Sequence, residues 1–531
     1  MFGLNLKINK LLFINLLLVL ASLSLACFYI KNPGADAFEH MRASLMVYEG
    51  RVPYKDFFEH HNSLLWYLFG WIINLFNRNS EIAGVLYYIT YLFFLVGVFY
   101  VYKIIVRFMG NTSYGLIAVM LVLLPADLLD AVWLYYMYFR PDNYMIVSII
   151  ISVYYFFSYI ENKKRKDLSV SYFWLWVSFL FIQKALIFYP VIGLMTLYML
   201  YKKDMTIKDF LYAISIPLVG SLIIVGYFYY EGILGLYWKS CFLFNTTMRE
   251  IMEDFAYCSP WFWAKIVFYV AMVGYVLLFR KENIYFRLWG GIFVLNLMFK
   301  CFYFGPHHYY FYETYLLAVP IAVISAFKLI DKYKWIKTIL CIEILLFIMF
   351  NMYCLVGGIY KGFKNPYKIN EAQEFIIRAT NRCDGVIAEY VSVYNDNLGY
   401  YWFLRGHLDK FGAAVGLNDK DDINKLIEEY KPQLVFVDDI YDKFEAYKGN
   451  KVVVHRFDMD MIKKYYKKTI RLGDKLVFDL KRNMYVRDRD LETGFYELKP
   501  EYQKLKGKCI YNKENKKWMY EYANKTIISK D

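Results

Sequence analysis

LLFINLLLVLASLSLACFYI, residues 11–30, carries no charged side chain along its whole length. A run of roughly 20 apolar residues matches a bilayer hydrocarbon core of about 30 Å. A secretory signal can also open a chain this way, but its apolar core is usually shorter, and Ser24-Leu25-Ala26-Cys27 fits a cleavage box poorly. The run reads as a retained membrane span, and the rest of the sequence repeats its character. Of 531 residues, 59% are hydrophobic and 21% aromatic, against an apolar share of about 45–50% in soluble domains.

Apolar length and interrupting charge give about eleven spans. They centre on 11–30, 83–103, 114–127, 142–160, 170–183, 185–201, 209–230, 262–279, 288–304, 311–328 and 336–356. The fifth and sixth are short and tightly joined. One set of connections is short and basic: Lys163-Lys164-Arg165-Lys166, Lys202-Lys203, Arg280-Lys281 and Lys332-Tyr333-Lys334. Cytoplasmic loops are enriched in Lys and Arg, so this set, with the N-terminus, belongs inside. An odd number of spans then puts everything after residue 357 outside. The net charge of +14 is partly a topology signal. It gives no reason to expect nucleic acid, because the basic connections are too short to build a binding fold.

After Gly357-Gly358 the composition changes, and no later run is long enough to span. Residues 370–382 and 421–430 read as helices, and 385–390, 433–437, 451–457 and 476–480 as short strands. The expected organisation is an α-helical polytopic membrane domain, 1–357, followed by an α/β soluble domain, 358–531, of about 170 residues. Eight cysteines are scattered without a C-x-x-C. Cys383 with Cys509, and Cys241 with Cys258, are candidate pairs, while free buried thiols are the default reading for most of the eight.

The chemistry is expected in the first outer loop, 31–80. Asp36, Glu39 and His40 open an amphipathic segment, 36–49. Gly50 to Pro53 makes a turn, and Asp56, Glu59, His60 and His61 form a second polar cluster. An aromatic amphipathic helix over about 63–76 follows, of the kind that lies in the interface. This places carboxylates and imidazoles where a lipid headgroup would sit. His60 and His61 lack the i, i+4 spacing of a helical zinc site. A divalent metal is compatible with the cluster but is not predicted.

The order of these residues resembles a family. Acidic residues just after the first span, then Gly-Arg-Val-Pro-Tyr-Lys-Asp-Phe-Phe-Glu-His-His (50–61), then an aromatic helix, is similar to the multispanning glycosyltransferases of the type C fold that use polyprenyl-phosphate-linked sugars. Their relatives include protein O-mannosyltransferases and lipid A aminoarabinose and galacturonosyl transferases. Arg140-Pro141-Asp142, Gln183-Lys184 and the His-rich segment 305–310 agree with the pattern, and the resemblance covers roughly residues 1–360. One departure is clear. Many relatives carry two adjacent acidic residues after the first span, whereas here Asp36 and Glu39 are three apart.

The resemblance implies that Asp36 is the general base and accepts the acceptor hydroxyl's proton. Arg140, Lys184 and His307 or His308 would hold the charge of the departing lipid phosphate. Glu39, His40, Tyr54, Asp56, His60, His61 and Asp142 would line the substrate site. It also implies inversion at the anomeric carbon, no required cofactor, a lipid or glycan acceptor, and a bacterial inner membrane. Each residue has a plainer reading: Asp36 as a helix N-cap, Asp56 as a turn stabiliser, Arg140 and Asp142 as a structural pair, Lys184 as a snorkelling side chain. Two other functions fit the same sequence, a transporter or lipid flippase and a non-catalytic assembly protein. No inverted repeat supports the former.

Overall fold

In the computed structural model the described residues are 12–20, 35–123, 136, 138–247, 260–278, 284–303, 311–333, 349, 369–388, 393–395, 399–400, 415–417, 422–437, 457–470, 476–479, 484–487, 494–503, 508–512, 514 and 516–521. Five of the described helices are long and apolar enough to cross a membrane: Ile82–Met109, Pro141–Asn162, Gln183–Tyr201, Ile207–Tyr230 and Glu313–Lys332. Shorter apolar helices include Thr112–Leu123 and Tyr269–Leu278. Leu222 and Ile223 on the Ile207–Tyr230 helix are 63% and 67% exposed. Water would penalise such a face heavily and acyl chains would not, so this is a multi-pass membrane protein. The expected spans at 336–356 and over the first part of 262–279 lie largely outside the residues whose side chains are described, as do the ends of 11–30 and 114–127.

Pro141–Asn162 is the most enclosed of the five. It starts on Arg140 with Pro141 at its first position, where a missing N–H costs nothing. It ends at Lys163 in the left-handed region. Those basic connections that are described gather at that far end, where Arg107 Nε lies 3.3 Å from Glu161, Lys163 donates to the Asp204 carbonyl, and Arg165 pairs with Asp209. The two runs read at 170–183 and 185–201 are separate helices, Arg165–Phe181 and Tyr189–Tyr201, joined by a 3-10 turn, Gln183–Phe188. That turn returns the chain at the Arg140 end.

The 31–80 loop folds much as its periodicity suggests. Ala35–Tyr48 is a helix, closed by Gly50 at φ +88° with Gly50 N donating to Val47 O and Arg51 N to Met46 O. Leu64–Leu75 is the second helix and buries Leu65, Trp66, Phe69, Gly70 and Ile73. Gly70 permits the contact between them, because a methyl group there would run into the Ser44 carbonyl oxygen.

In the C-terminal segment, a helix, Ile369–Ala379, precedes a four-stranded sheet of order β1-β2-β6-β3, with β1 Val386–Ile387, β2 Leu434–Val437, β3 Tyr466–Ile470 and β6 Gly494–Leu498. β1 and β2 are parallel, with Val386 opposite Leu434, and the other pairs are antiparallel. Ile423–Tyr430 is the second expected helix. The strand read at 476–480 forms only a hairpin, β4 Leu476–Asp479 with β5 Met484–Arg487, and the strand read at 451–457 lies mostly outside the described residues. Missed altogether was a second hairpin, β7 Lys508–Asn512 with β8 Lys517–Glu521. Cys383 and Cys509 are joined by a disulfide. Cys241 is a buried free thiol, and Cys258 lies outside the described residues.

This segment docks on the 31–80 loop. Arg382 Nη2 lies 2.9 Å from Glu49, and Trp518 Nε1 donates to the same carboxylate at 3.0 Å. Arg42 donates to Val393 O, Arg78 to Thr380 O, and Phe58 N to Tyr400 O. The loop, the Arg140 end of the bundle and the C-terminal segment therefore share one end of the molecule.

Candidate functional site

Two side-chain clusters meet at that end. The first is a chain of alternating charge. Asp36 sits in the first turn of Ala35–Tyr48, and its Oδ2 lies 3.1 Å from Arg140 Nη1. Arg140 Nε is 3.5 Å from Asp142 Oδ2, and Asp142 pairs closely with Lys184. Lys184 Nζ is 2.5 Å from Glu313 Oε1, and Lys300 Nζ is 3.0 Å from Glu313 Oε2. Three anions alternate with three cations drawn from five elements. Asp142 also lies in the first turn of its helix, where the helix dipole favours an anion.

Exposure rises steeply along the chain. The side chains of Lys300 and Glu313 are wholly buried, whereas Asp36 is 44% exposed. Buried charges are tolerated only when paired and hydrogen-bonded, which explains the strict alternation. The outermost carboxylate is the one open to an incoming molecule.

The second cluster is Glu39, Glu59, His60 and His61, whose ligand-type atoms all lie within 4.8 Å of one another. Glu39 is one helical turn beyond Asp36 and on the same face. The other three come from the extended stretch between Phe57 and Ser63. Its shape depends on Tyr54, which adopts φ +68°, unusual for an aromatic residue. Its hydroxyl donates to His61 O at 2.5 Å, and Tyr400 donates to its carbonyl. Glu59 Oε1 accepts from His60 N and lies 2.9 Å from His61 Nδ1.

Burial sets the protonation of these groups. It raises Glu39 well above the usual carboxylate range, helped by the nearby Glu59 and Asp36 charges. It pushes Glu59 up to about 7, against the opposing pull of His60. It lowers His60 to about 3, with the neighbouring His61 adding to it. His61 falls to about 3 as well, through burial and then the Arg140 charge. Both imidazoles are therefore neutral at physiological pH.

The remaining expected residues have clear places. His40 is buried, with its ring edge-on to His61 and Trp66 Nε1 3.4 Å from its Nδ1. Tyr54 packs against Phe228 and Tyr237. Asp56 stands apart from both clusters and accepts from Val52 N at 2.7 Å, which closes the turn. Asp36, Arg140, Asp142 and Lys184 converge as one chain. His307 and His308 lie outside the described residues.

Sequence reading missed Lys300, Glu313 and Asn245, and did not single out Glu59 for a role. A signal existed for the first two: each is an ionisable residue inside an apolar run, which is costly in a membrane without a purpose. Asn245 follows a π-helical turn, Lys239–Phe244, a local widening common near functional sites. Nothing in the sequence pattern marks it.

No protein-family model matches the chain, and no curated protein sequence matches it. Among solved structures, it is similar to ArnT from Cupriavidus metallidurans bound to undecaprenyl phosphate, at 11% identity and TM-score 0.46, over 69% of this chain and 72% of that one. It is also similar to the oligosaccharyltransferase AglB from Archaeoglobus fulgidus in complex with an inhibitory peptide and a dolichol-phosphate, at 11% identity and TM-score 0.46, over 93% and 75%. A complex of the Archaeoglobus fulgidus oligosaccharyltransferase with zinc and sulfate scores 0.43 at 12% identity, over 88% and 72%. At these values no residue's role is carried across from them.

Proposed function

We propose that this chain is a membrane glycosyltransferase that moves a sugar from a polyprenyl-phosphate-linked donor to an extracytoplasmic lipid or glycan acceptor. The observation that carries it is Asp36, a half-exposed carboxylate held by Arg140 at the mouth of a buried ion chain. Asp36 takes the proton from the acceptor hydroxyl as its oxygen bonds to the anomeric carbon. The bond from that carbon to the phosphate oxygen breaks with inversion, and the lipid phosphate leaves with the electron pair. Arg140, backed by Lys184, stabilises the charge that develops there. Glu39, His40, Tyr54, His60 and His61 form the wall next to Asp36. The donor arrives through the bilayer, so no nucleotide-binding fold is needed, and no cofactor is assigned to the transfer.

The same reading divides the chain into a membrane domain, 1–357, and an extracytoplasmic α/β domain, 358–531, in a bacterial inner membrane with the N-terminus inside. Among the described residues, the basic connections at 163–166 and 202–203 lie at the end of the bundle opposite the site, which supports this orientation. The Cys383–Cys509 disulfide supports it independently, because such bonds persist in oxidising compartments.

Asp36→Asn, reconstituted in vesicles with a labelled polyprenyl-phosphate sugar and acceptor, is expected to lose about 10²–10⁴-fold in rate while keeping the wild-type melting temperature. Full activity in this variant would remove Asp36 as the base. The alternative, a transporter or lipid flippase, draws on the burial of Lys184, Lys300 and Glu313 among membrane helices. It requires lipid-linked sugar flux in vesicles that lack any acceptor.

A further inference from the structure

The second cluster holds two carboxylates close together in a buried place. Glu59 is fully buried and Glu39 nearly so. Glu39 Oε1 and Glu59 Oε2 are both buried and have no hydrogen-bond partner. Leaving such oxygens unsatisfied costs about 1–3 kcal/mol each, more for charged groups. Two adjacent histidines face them.

We propose that Glu39, Glu59, His60 and His61 form a binding site for one divalent transition-metal ion of zinc's class. Three further observations support it. The first is spacing. His61 Nδ1 is 2.9 Å from Glu59 Oε1 and 3.6 Å from Glu39 Oε1, and His60 Nε2 is 3.9 Å from Glu39 Oε1. A tetrahedral ion with bonds of about 2.0–2.2 Å sets its ligand atoms roughly 3.3–3.6 Å apart, within the observed spread.

The second is the setting of His60. Its Nδ1 is 2.8 Å from Asn245 Oδ1. The Asn245 amide nitrogen donates to the carbonyls of His60 and Cys241, which fixes Oδ1 as the acceptor. His60 Nδ1 therefore carries the ring proton and donates it to Asn245, and Nε2, on the Glu39 side, carries the lone pair. Orienting a ligating histidine through its other nitrogen is how protein metal sites select the tautomer. Gln183 Nε2 braces the same backbone by donating to His60 O and Cys241 O.

The third is chemistry. Two carboxylates match the charge of a divalent ion, and two imidazole nitrogens with two oxygens make a borderline donor set suited to Zn²⁺ or Co²⁺ and poorly to Mg²⁺ or Ca²⁺. The i, i+4 rule for helical zinc sites does not apply here. His60 and His61 lie on extended backbone, and Glu39 reaches them from a separate helix. The ion would tie the 57–62 stretch to the helix that carries Asp36. Its existence does not depend on the reaction proposed above.

The test uses the full chain purified in detergent, stripped with a chelator and reloaded with Zn²⁺ alone or with Co²⁺ alone. Elemental analysis is expected to find one zinc per chain, and cobalt to show the intense visible absorption of a tetrahedral site. Glu39→Gln, which preserves shape, and Asn245→Ala, which touches only the ligand's orientation, are expected to lower zinc affinity about 10–100-fold with unchanged elution on size exclusion. Failure of the wild type to retain zinc overturns the proposal, and so does retention of zinc at wild-type affinity by a folded Glu39→Gln variant. Since the readout is metal content, loss of sugar transfer alone leaves the result unaffected.

Discussion

Arg140 Nη1 lies 3.1 Å from Asp36 Oδ2, although one residue caps a membrane helix and the other begins a helix in the outer loop. The contact makes the position of a half-exposed carboxylate depend on the most enclosed of the five described spans. It also places a cation against Asp36 where a leaving phosphate would need one. Arg140→Gln should therefore lower sugar transfer by about 10²–10³-fold, mainly in kcat. Initial rates in proteoliposomes at varied donor concentration would show this, and a change confined to KM would contradict it.

Lys184 is enclosed between Asp142 and Glu313. Replacing it with Met leaves two buried carboxylates near one another. Breaking a buried pair from one side costs about 3–5 kcal/mol. Lys184→Met should lower the melting temperature in detergent markedly, and adding Glu313→Gln should restore part of the loss. Scanning fluorimetry of the single and double variants measures both.

Gly70→Ala tests the seat of the outer loop. Its new methyl meets backbone, the Ser44 carbonyl, rather than a side chain able to move aside. Overpacking of this kind costs about 1–3 kcal/mol. Gly193→Ala, where a methyl meets nothing within 4 Å, serves as the control and should leave the melting temperature unchanged or slightly higher.

The Cys383–Cys509 bond closes a loop of sequence separation 126. Its removal should cost about 2–5 kcal/mol in the C-terminal segment. The paired serine variant should be cut by protease in that segment faster than the wild type. The wild type itself should change mobility on a denaturing gel when reduced.

Burial pushes the Cys241 thiol well above its ordinary value near 9. Raising a thiol's pKa shrinks its thiolate fraction at any lower pH, and the thiolate is the reactive form. At pH 8 the native protein should resist alkylation at Cys241, and denaturant should restore reaction. Peptide mass spectrometry after brief labelling reads both states.

The sequence by itself determined the membrane character, the two-helix outer loop and the face shared by Asp36 and Glu39. Each is a local property: apolar length, a turn at Gly50, a period of 3.6 residues. It also marked Arg140, Asp142 and Lys184 as a group, through the resemblance of their surroundings. Only the tertiary structure joined Lys300 and Glu313 to Lys184, and brought Glu39 to Glu59, His60 and His61. Ion pairing and ligand geometry depend on distances of a few ångströms between residues far apart in the chain, and no spacing along the sequence encodes those distances. The neutral state of the two histidines came from the fold as well, because it is burial that makes their charged forms costly.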